Sequence, residues 1–207
     1  MNNIYKLIII FPFLILGCKT SVIDGNRIMQ KIDSLDMNIY SNQGDKIYRI
    51  TSPNSSYDIV KQTISIKKTT INLFNDNELE YIINSDESKL SNNNKIIELK
   101  GNVKLKNVLQ DNAILYSDYF IWNIDDSKYL LKGNIKFENE NIILNSNKAI
   151  LSSDNIIEFF NPVKYIIKND NNKSKYEINS ENAFYNIETE SVSFRAKNKR
   201  VRSIIYF

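Results

Sequence analysis

The stretch Ser117–Phe137, SDYFIWNIDDSKYLLKGNIKF, limits the fold more than any other part of this chain. Phe120, Trp122 and Ile124 share one parity, while Tyr129, Leu131, Gly133, Ile135 and Phe137 share another, with Asp125-Asp126-Ser127-Lys128 between them. Period-two alternation rich in aromatic and β-branched residues, broken by a short Asp/Ser turn, predicts a β-hairpin. The pattern then recurs. Lys95–Leu105 (KIIELKGNVKL) and Ser127–Phe137 (SKYLLKGNIKF) overlay at a spacing of roughly thirty residues, a period typical of repeated supersecondary units. Ile156–Ile167 (IIEFFNPVKYII) places Asn161-Pro162-Val163 where the others carry Gly-Asn-Val or Gly-Asn-Ile. Ser180–Lys197 overlays Ser117–Asn134, and Ser52–Ile71 is a looser copy at the front. Helical periodicity is absent from these repeats. The expected fold is all-β: an elongated, twisted antiparallel sheet of about ten or more strands folded over itself, a β-jellyroll or β-taco built from hairpin repeats.

One face of that sheet stays apolar from repeat to repeat. On the first strands it carries Tyr57 and Ile59, then Phe120 and Trp122, then Ala149 and Leu151, then Ala183 and Tyr185. On the second strands it carries Ile97, Leu99, Val103 and Leu105; Leu131, Ile135 and Phe137; Ile157, Phe159, Val163 and Tyr165; and Val192 and Phe194. The opposite parity holds Lys100, Asn102, Lys104, Lys132, Asn134, Lys136, Glu158, Lys164 and Arg195. A sheet with one apolar and one charged face must cover the apolar one, and repetition makes the covered region a lengthwise trough. Gly101 and Gly133 fall on the inward parity, where a missing side chain lets something approach or lets the strand bend. Trp122, the single tryptophan, packs the core or contacts whatever the trough holds; in a trough the two roles merge.

Composition removes several function classes. The chain of 207 residues is 42% hydrophobic and 25% charged, which suits a folded body with a real core, and Gly (5) and Pro (3) are too scarce for disorder. A net charge of +3, interleaved along the chain, gives no reason to expect a nucleic-acid partner. Histidine is absent, which removes the usual general base and the commonest metal ligand. A single cysteine allows neither an internal disulfide nor a cysteine-based metal site, so no cofactor or metal is expected. Asp125 with Asp126, and Asp76 with Glu78 and Glu80, are the carboxylate clusters that could suggest acid/base chemistry, but they fall in predicted turns, where Asp bonds the backbone. The chain is not expected to be an enzyme.

The front of the chain has a different character. Leu7–Gly17 (LIIIFPFLILG) follows a short, singly positive start and would extend only about 16 Å as a helix, against a hydrocarbon core of ~30 Å. That length suits the apolar region of a signal peptide. It ends in Ile15-Leu16-Gly17-Cys18, which resembles a bacterial lipobox and implies that Cys18 is the lipidation site; the alternative is a buried apolar strand that ends in Cys. Two acyl chains are what stable membrane anchoring needs. The expected organisation is a lipoprotein signal peptide with lipobox over 1–18, a tether over 19–46, and a β-domain over 47–207. Ile28, Ile32 and Leu35 have helical spacing, so a short helix near Arg27–Asp36 stands beside a flexible tether as the expectation there.

An exported, membrane-anchored β-domain with A-x-Y at Ala183–Tyr185 and G-N-[VI] at Gly101–Val103 and Gly133–Ile135 resembles the OstA-like family of lipopolysaccharide transport proteins, and within it the LptC type. The resemblance covers about Tyr48 to Phe207. It implies a periplasmic conduit, lipid-anchored to the inner membrane in preference to the outer. The conduit accepts lipopolysaccharide from inner-membrane ABC transporter subunits and passes it to an LptA-like bridge protein. Lipid A acyl chains would lie against Tyr57, Ile59, Ile97, Leu99, Val103, Phe120, Trp122, Leu131, Ile135, Phe137, Leu151, Phe159, Val163, Tyr185 and Phe194. A dozen methylenes left in water cost on the order of 10 kcal/mol, which is why a greasy path is needed. Family members join by pairing edge strands. The candidate edges are Ile64 and Ile66 at the front and Ile204, Ile205 and Tyr206 in the tail, whose alternative is a frayed terminus. Arg195, Lys197, Lys199, Arg200 and Arg202 form a basic run that meets anionic lipid heads or simply guards a charged edge. Two other classes stand beside the conduit: a structural or adhesive surface lipoprotein with a closed β-repeat core, and, more remotely, a carboxylate enzyme acting on polysaccharide.

Overall fold

The computed structural model describes residues 23–24, 27–91, 93–108, 113–126, 128–152, 155–168, 174–198 and 200–206. Cys18 and its apolar run lie outside them, as do Lys199 and Phe207. The described chain runs as thirteen strands: β1 (Ile23–Asp24), β2 (Arg27–Tyr40), β3 (Lys46–Asp58), β4 (Thr63–Asn75), β5 (Glu78–Ser91), β6 (Ile96–Asn107), β7 (Ile114–Asn123), β8 (Lys128–Glu138), β9 (Ile142–Leu151), β10 (Ile156–Lys168), β11 (Ser174–Asn186), β12 (Ser191–Arg195) and β13 (Arg202–Ile205). They form one antiparallel sheet in sequence order from β1 to β12, with β13 added on β11 beside β12. The expected all-β sheet of hairpins is what forms.

Arg27–Asp36 is neither helix nor tether. It lies within β2, which pairs with β3 from Met29↔Asp58 to Tyr40↔Lys46, so the β-body starts well before residue 47. Ile28, Ile32 and Leu35 match a helical period, but Leu35, Met37 and Ile39 alternate, and pairing to a long neighbour decides for strand.

A single line of irregularity crosses the sheet at the middle of every long strand. On the even strands it is marked by left-handed backbone at Ser34, Lys68, Gly101-Asn102 and Gly133-Asn134. On β10 the register slips between Phe160 and Val163, around Asn161-Pro162. On the odd strands the line falls beside Ser52, Ser85, Ser117, Ser146 and Ser180. The hydroxyls of Ser52, Ser85, Ser146 and Ser180 each donate to the carbonyl two residues on, at 2.8, 3.1, 2.9 and 2.8 Å; Ser117 Oγ is buried with no such partner. Both described prolines, Pro53 and Pro162, sit on this line, where a strand can spare the N–H that proline lacks.

The glycines of the repeated Gly-Asn motif are required here. Gly101 and Gly133 both have φ near +75°, and a Cβ on them would meet the Asp86 and Asp118 carboxylates at 2.7 and 2.5 Å. Those same carboxylates accept hydrogen bonds from the Asn102 and Asn134 side-chain amides, at 2.7 and 2.8 Å. The group that approaches each glycine is thus an Asp of the preceding strand, and the bulge it completes bends the strand.

Crossing the line, the odd strands switch the parity that faces inward. On β7, Leu115 and Ser117 point in before it, and Phe120 and Trp122 after it; on β9 the pairs are Leu144 with Ser146, then Ala149 with Leu151. The sheet therefore has two halves, and it folds along the line so that they face each other as two layers. Cross-strand register gives the first layer the row Ile83–Leu105–Leu115–Phe137–Leu144–Tyr165–Ile178. The second layer has the row Ile64–Leu90–Ile97–Trp122–Tyr129–Leu151–Ile157–Tyr185–Val192. Ring contacts confirm the fold-over, because they join one layer to the other: Tyr48 to Trp122 at 5.2 Å, Phe137 to Tyr185 at 4.5 Å, and Tyr165 to Phe194 at 5.2 Å.

Candidate functional site

The space between the layers is built from small alternations repeated strand after strand. Of the residues expected to line it, Ile97, Leu99, Val103, Phe120, Trp122, Leu131, Ile135, Phe137, Leu151, Phe159, Val163 and Tyr185 are buried there, none more than 8% exposed. Phe194 and Tyr57 are half-buried at the two ends of the row. Ile59 is not inside. It is 45% exposed in the β3–β4 turn, because the alternation that holds for Tyr57 stops when the strand ends at Asp58. The apolar parity read from the sequence left out part of the first layer: Tyr48, Ile50, Ile71, Leu73, Ile83, Leu115, Ile142 and Leu144 are also buried there. A signal for them was present. Ser-Asp, Ser-Asp, Ser-Asn and Ser-Glu recur at 85–86, 117–118, 146–147 and 180–181, each marking where the inward parity changes.

The expected trough is closed. The two layers are in contact from Tyr48 to Phe194, and two small voids sit where their free margins meet. One, of about 20 Å³, is lined by Tyr81, Leu105, Leu115, Phe137, Leu151, Tyr185 and Ile187 among others. The other, of about 120 Å³, lies between Leu73, Glu80, Tyr81 and Leu105 on one side and Tyr129, Leu151, Ser152 and Asn155 on the other. Small-molecule sites usually run ~300–1,000 Å³, so neither void holds an acyl chain as it stands. A larger concavity of about 630 Å³ lies on the outer, polar face, lined by Ser65, Lys67, Glu87, Lys89, Glu98, Lys100 and Tyr119 among others.

Tyrosines punctuate the margin. Tyr129 stacks on Trp122 with ring centres 5.6 Å apart, and the Tyr48 hydroxyl donates to the Asn94 carbonyl at 3.1 Å. Burial pushes the Tyr48, Tyr129 and Tyr185 hydroxyls up to about 12, and burial with Glu80 alongside raises Tyr81 further. Desolvation penalises the phenolate, so these groups stay neutral at any physiological pH and present the interior with an apolar ring and a polar tip.

The remaining expectations sort cleanly. Ile64 and Ile66 are not on an edge: β4 is paired on both sides, to β3 and to β5, and Ile66 is 1% exposed. The strand resembled an edge because it opened the legible repeats; β2 precedes it and covers β3. The tail is an edge. β13 pairs with β11 through Tyr176↔Ile205 and Asn179↔Arg202, and Ile204, Ile205 and Tyr206 are 45%, 58% and 47% exposed. Arg195 lies over the Phe184 ring at 5.0 Å, and Lys197 uses its backbone N–H to bond Glu181, so the basic run is partly spent on the fold. Asp125 pairs with Lys95 at 2.9 Å, and Asp126 accepts from Asn123 within the β7–β8 turn.

With that geometry in place, comparison with known proteins is informative. The family model described as "Lipopolysaccharide-assembly, LptC-related" matches residues 17–145, more than half of the chain. No curated protein matches it. Among solved structures, the chain is similar to LptH of Pseudomonas aeruginosa, the LptA-homologous periplasmic component of the lipopolysaccharide transport device. The identity is 7%, the TM-score 0.33, and the match covers 77% of this chain and 94% of that one. By its family-model match, the chain belongs to the LptC-related family of lipopolysaccharide-assembly proteins.

Proposed function

We propose that this protein is a membrane-anchored conduit of the lipopolysaccharide transport bridge. It takes acyl chains between its two layers from inner-membrane ABC transporter subunits and hands them to an LptA-like neighbour at the far edge. The observation that carries this reading is the pair of facing apolar rows, which continue unbroken across the strands. At ~4.8 Å per strand, a path from β2 to β12 runs about 50 Å. A compact core does not need such a line; a sliding acyl chain does, since each ~0.8 kcal/mol per methylene lost to water on leaving one contact must be recovered at the next. No residue here is asked to do bond chemistry. The closed interior requires the layers to part at the margin between Tyr81–Leu105 and Tyr129–Leu151 when lipid enters, with the fold line as the hinge.

In this reading the exposed β13 edge, Ile204 to Tyr206, receives the next β-domain by strand addition, and β2 offers the other open edge toward the transporter. The protein lies on the periplasmic side of the inner membrane, held there by acylated Cys18. The closed interior equally favours a second reading, a structural surface lipoprotein with a packed β-repeat core. Photocrosslinking separates the two. A photoreactive residue at Leu151 or Tyr129 should yield lipopolysaccharide adducts that depend on ATP hydrolysis by the transporter. Their absence, with the same residue folded and the transporter active, would favour the packed structural protein.

A further inference from the structure

Among the described residues the connections at Ser41–Asp45, Asp76–Asn77 and Asn139–Asn141 consist of polar residues and glycine, and the aliphatics that open two others, Ile124 and Ile187, pack against the core. The β3–β4 turn is Ile59-Val60-Lys61-Gln62, with Ile59 45% and Val60 65% exposed. Two branched aliphatics at a turn centre give up the backbone-bonding chemistry that turns favour, and nothing in the fold covers them. They are not alone. Ile59 donates its backbone N–H to the Ile28 carbonyl at 3.1 Å, and Ile28 and Met29 are themselves 49% and 37% exposed. Across the tip the Asp58 carboxylate accepts the Lys61 N–H at 3.0 Å. The patch also has a fixed place relative to the start of the chain. Ile23 pairs with Ile28, and Cys18 stands five residues earlier in sequence, within ~18 Å even if fully extended.

We propose that this tip is a membrane-contact element: Ile59 and Val60, flanked by Ile28 and Met29, insert into the interfacial layer of the phospholipid bilayer that holds Cys18. The proposal rests on the lipid-anchor reading of Cys18 and deepens it. An acyl anchor alone leaves a domain free to swing; a second apolar contact beside it fixes which end of the sheet faces the bilayer. The exposed Lys61 next to the aliphatics suits anionic headgroups. The bilayer is the favoured occupant because the tether is too short to carry the patch far from it. In consequence the β1–β2 end of the sheet is held at the membrane and β12–β13 projects away.

The full-length lipoprotein in vesicles of phosphatidylethanolamine with a minor fraction of phosphatidylglycerol tests this. Cys18 is the only native cysteine and is blocked when acylated, so Val60→Cys can be labelled alone with an environment-sensitive fluorophore. Thr189→Cys, on the exposed β11–β12 turn at the far edge of the sheet, is the reference. Shallow nitroxide-labelled lipids should quench the label at position 60 several-fold more than the label at position 189. Equal, low quenching at both positions in protein that floats with the vesicles would overturn the membrane contact and leave the anchor standing. Protein that carries no acyl mass and fails to float would overturn the anchor reading, and the contact with it.

Discussion

Replacing Gly133 with alanine probes the fold line directly, because two separable costs meet at that residue. The first is backbone: φ is +75°, a region that costs a residue with a Cβ about 1–2 kcal/mol. The second is steric. The new Cβ would lie 2.5 Å from Asp118 Oδ2, 3.0 Å from its Cβ and 3.1 Å from its Cγ. The oxygen can swing away, but the two carbons sit at the root of the side chain and move only with β7. Swinging the carboxylate also breaks its 2.8 Å hydrogen bond from Asn134, worth about 0.5–1.5 kcal/mol. Together Gly133→Ala should cost about 2–3 kcal/mol in urea unfolding. In an Asp118→Gly background the Oδ2, Cγ and Cβ contacts are all gone, and the same glycine substitution should show the backbone cost alone, about 1–2 kcal/mol. Gly44→Ala supplies the control: φ is +94° and nothing lies within 4 Å, so it too should show the backbone cost alone. Equal costs for Gly133→Ala with and without Asp118 would refute the idea that the Gly-Asn motif exists to admit a neighbouring carboxylate.

Other expectations follow from the same geometry. Phe137→Ala removes a ring that meets both Phe159 and Tyr185 across the layers, and should cost about 3–5 kcal/mol by urea unfolding. Ile66→Asp, on a strand paired on both sides, should prevent folding, whereas Ile204→Asp on the open β13 edge should shift stability by less than about 0.5 kcal/mol and abolish end-to-end pairing with an LptA-like partner in pull-down. Stability should be flat across about pH 6 to 8, since no histidine titrates there. It should fall as pH rises from 10 toward about 12: the unfolded chain releases tyrosine protons near 10 while Tyr48, Tyr129 and Tyr185 hold theirs, so unfolding is favoured in that window. A urea midpoint unchanged between pH 9 and pH 11 would contradict that assignment of the buried phenols.

The hairpins, their order and one apolar face were legible because period-two alternation survives wherever a strand is paired and half-covered. Much of the first layer of the interior was not. Alternation was counted along one parity, and each odd strand changes parity at its Ser-Asp or Ser-Asn step, so Leu115 and Leu144 read as outward residues. The glycines were correctly singled out, but what they admit is an Asp two strand-halves away, which no local pattern reports. Ile59 was misassigned for a simpler cause: parity continues past the end of a strand on paper, but not in space. The start of the sheet was lost because β2 carries apolar residues at a spacing shared by helix and strand, and only its partner decides. Closure of the trough was invisible in principle, since facing rows of Leu, Ile and Phe specify contact and not the distance between layers.

The claim on which the account turns is that lipid passes between the layers. A photoreactive residue at Leu151, buried at the margin where the layers meet, measures it in cells with a working transporter. Leu151 should give lipopolysaccharide adducts that vanish when ATP hydrolysis is blocked, and outward-facing Lys132 of the same sheet should give none. Adducts at Lys132 but not at Leu151 would contradict it.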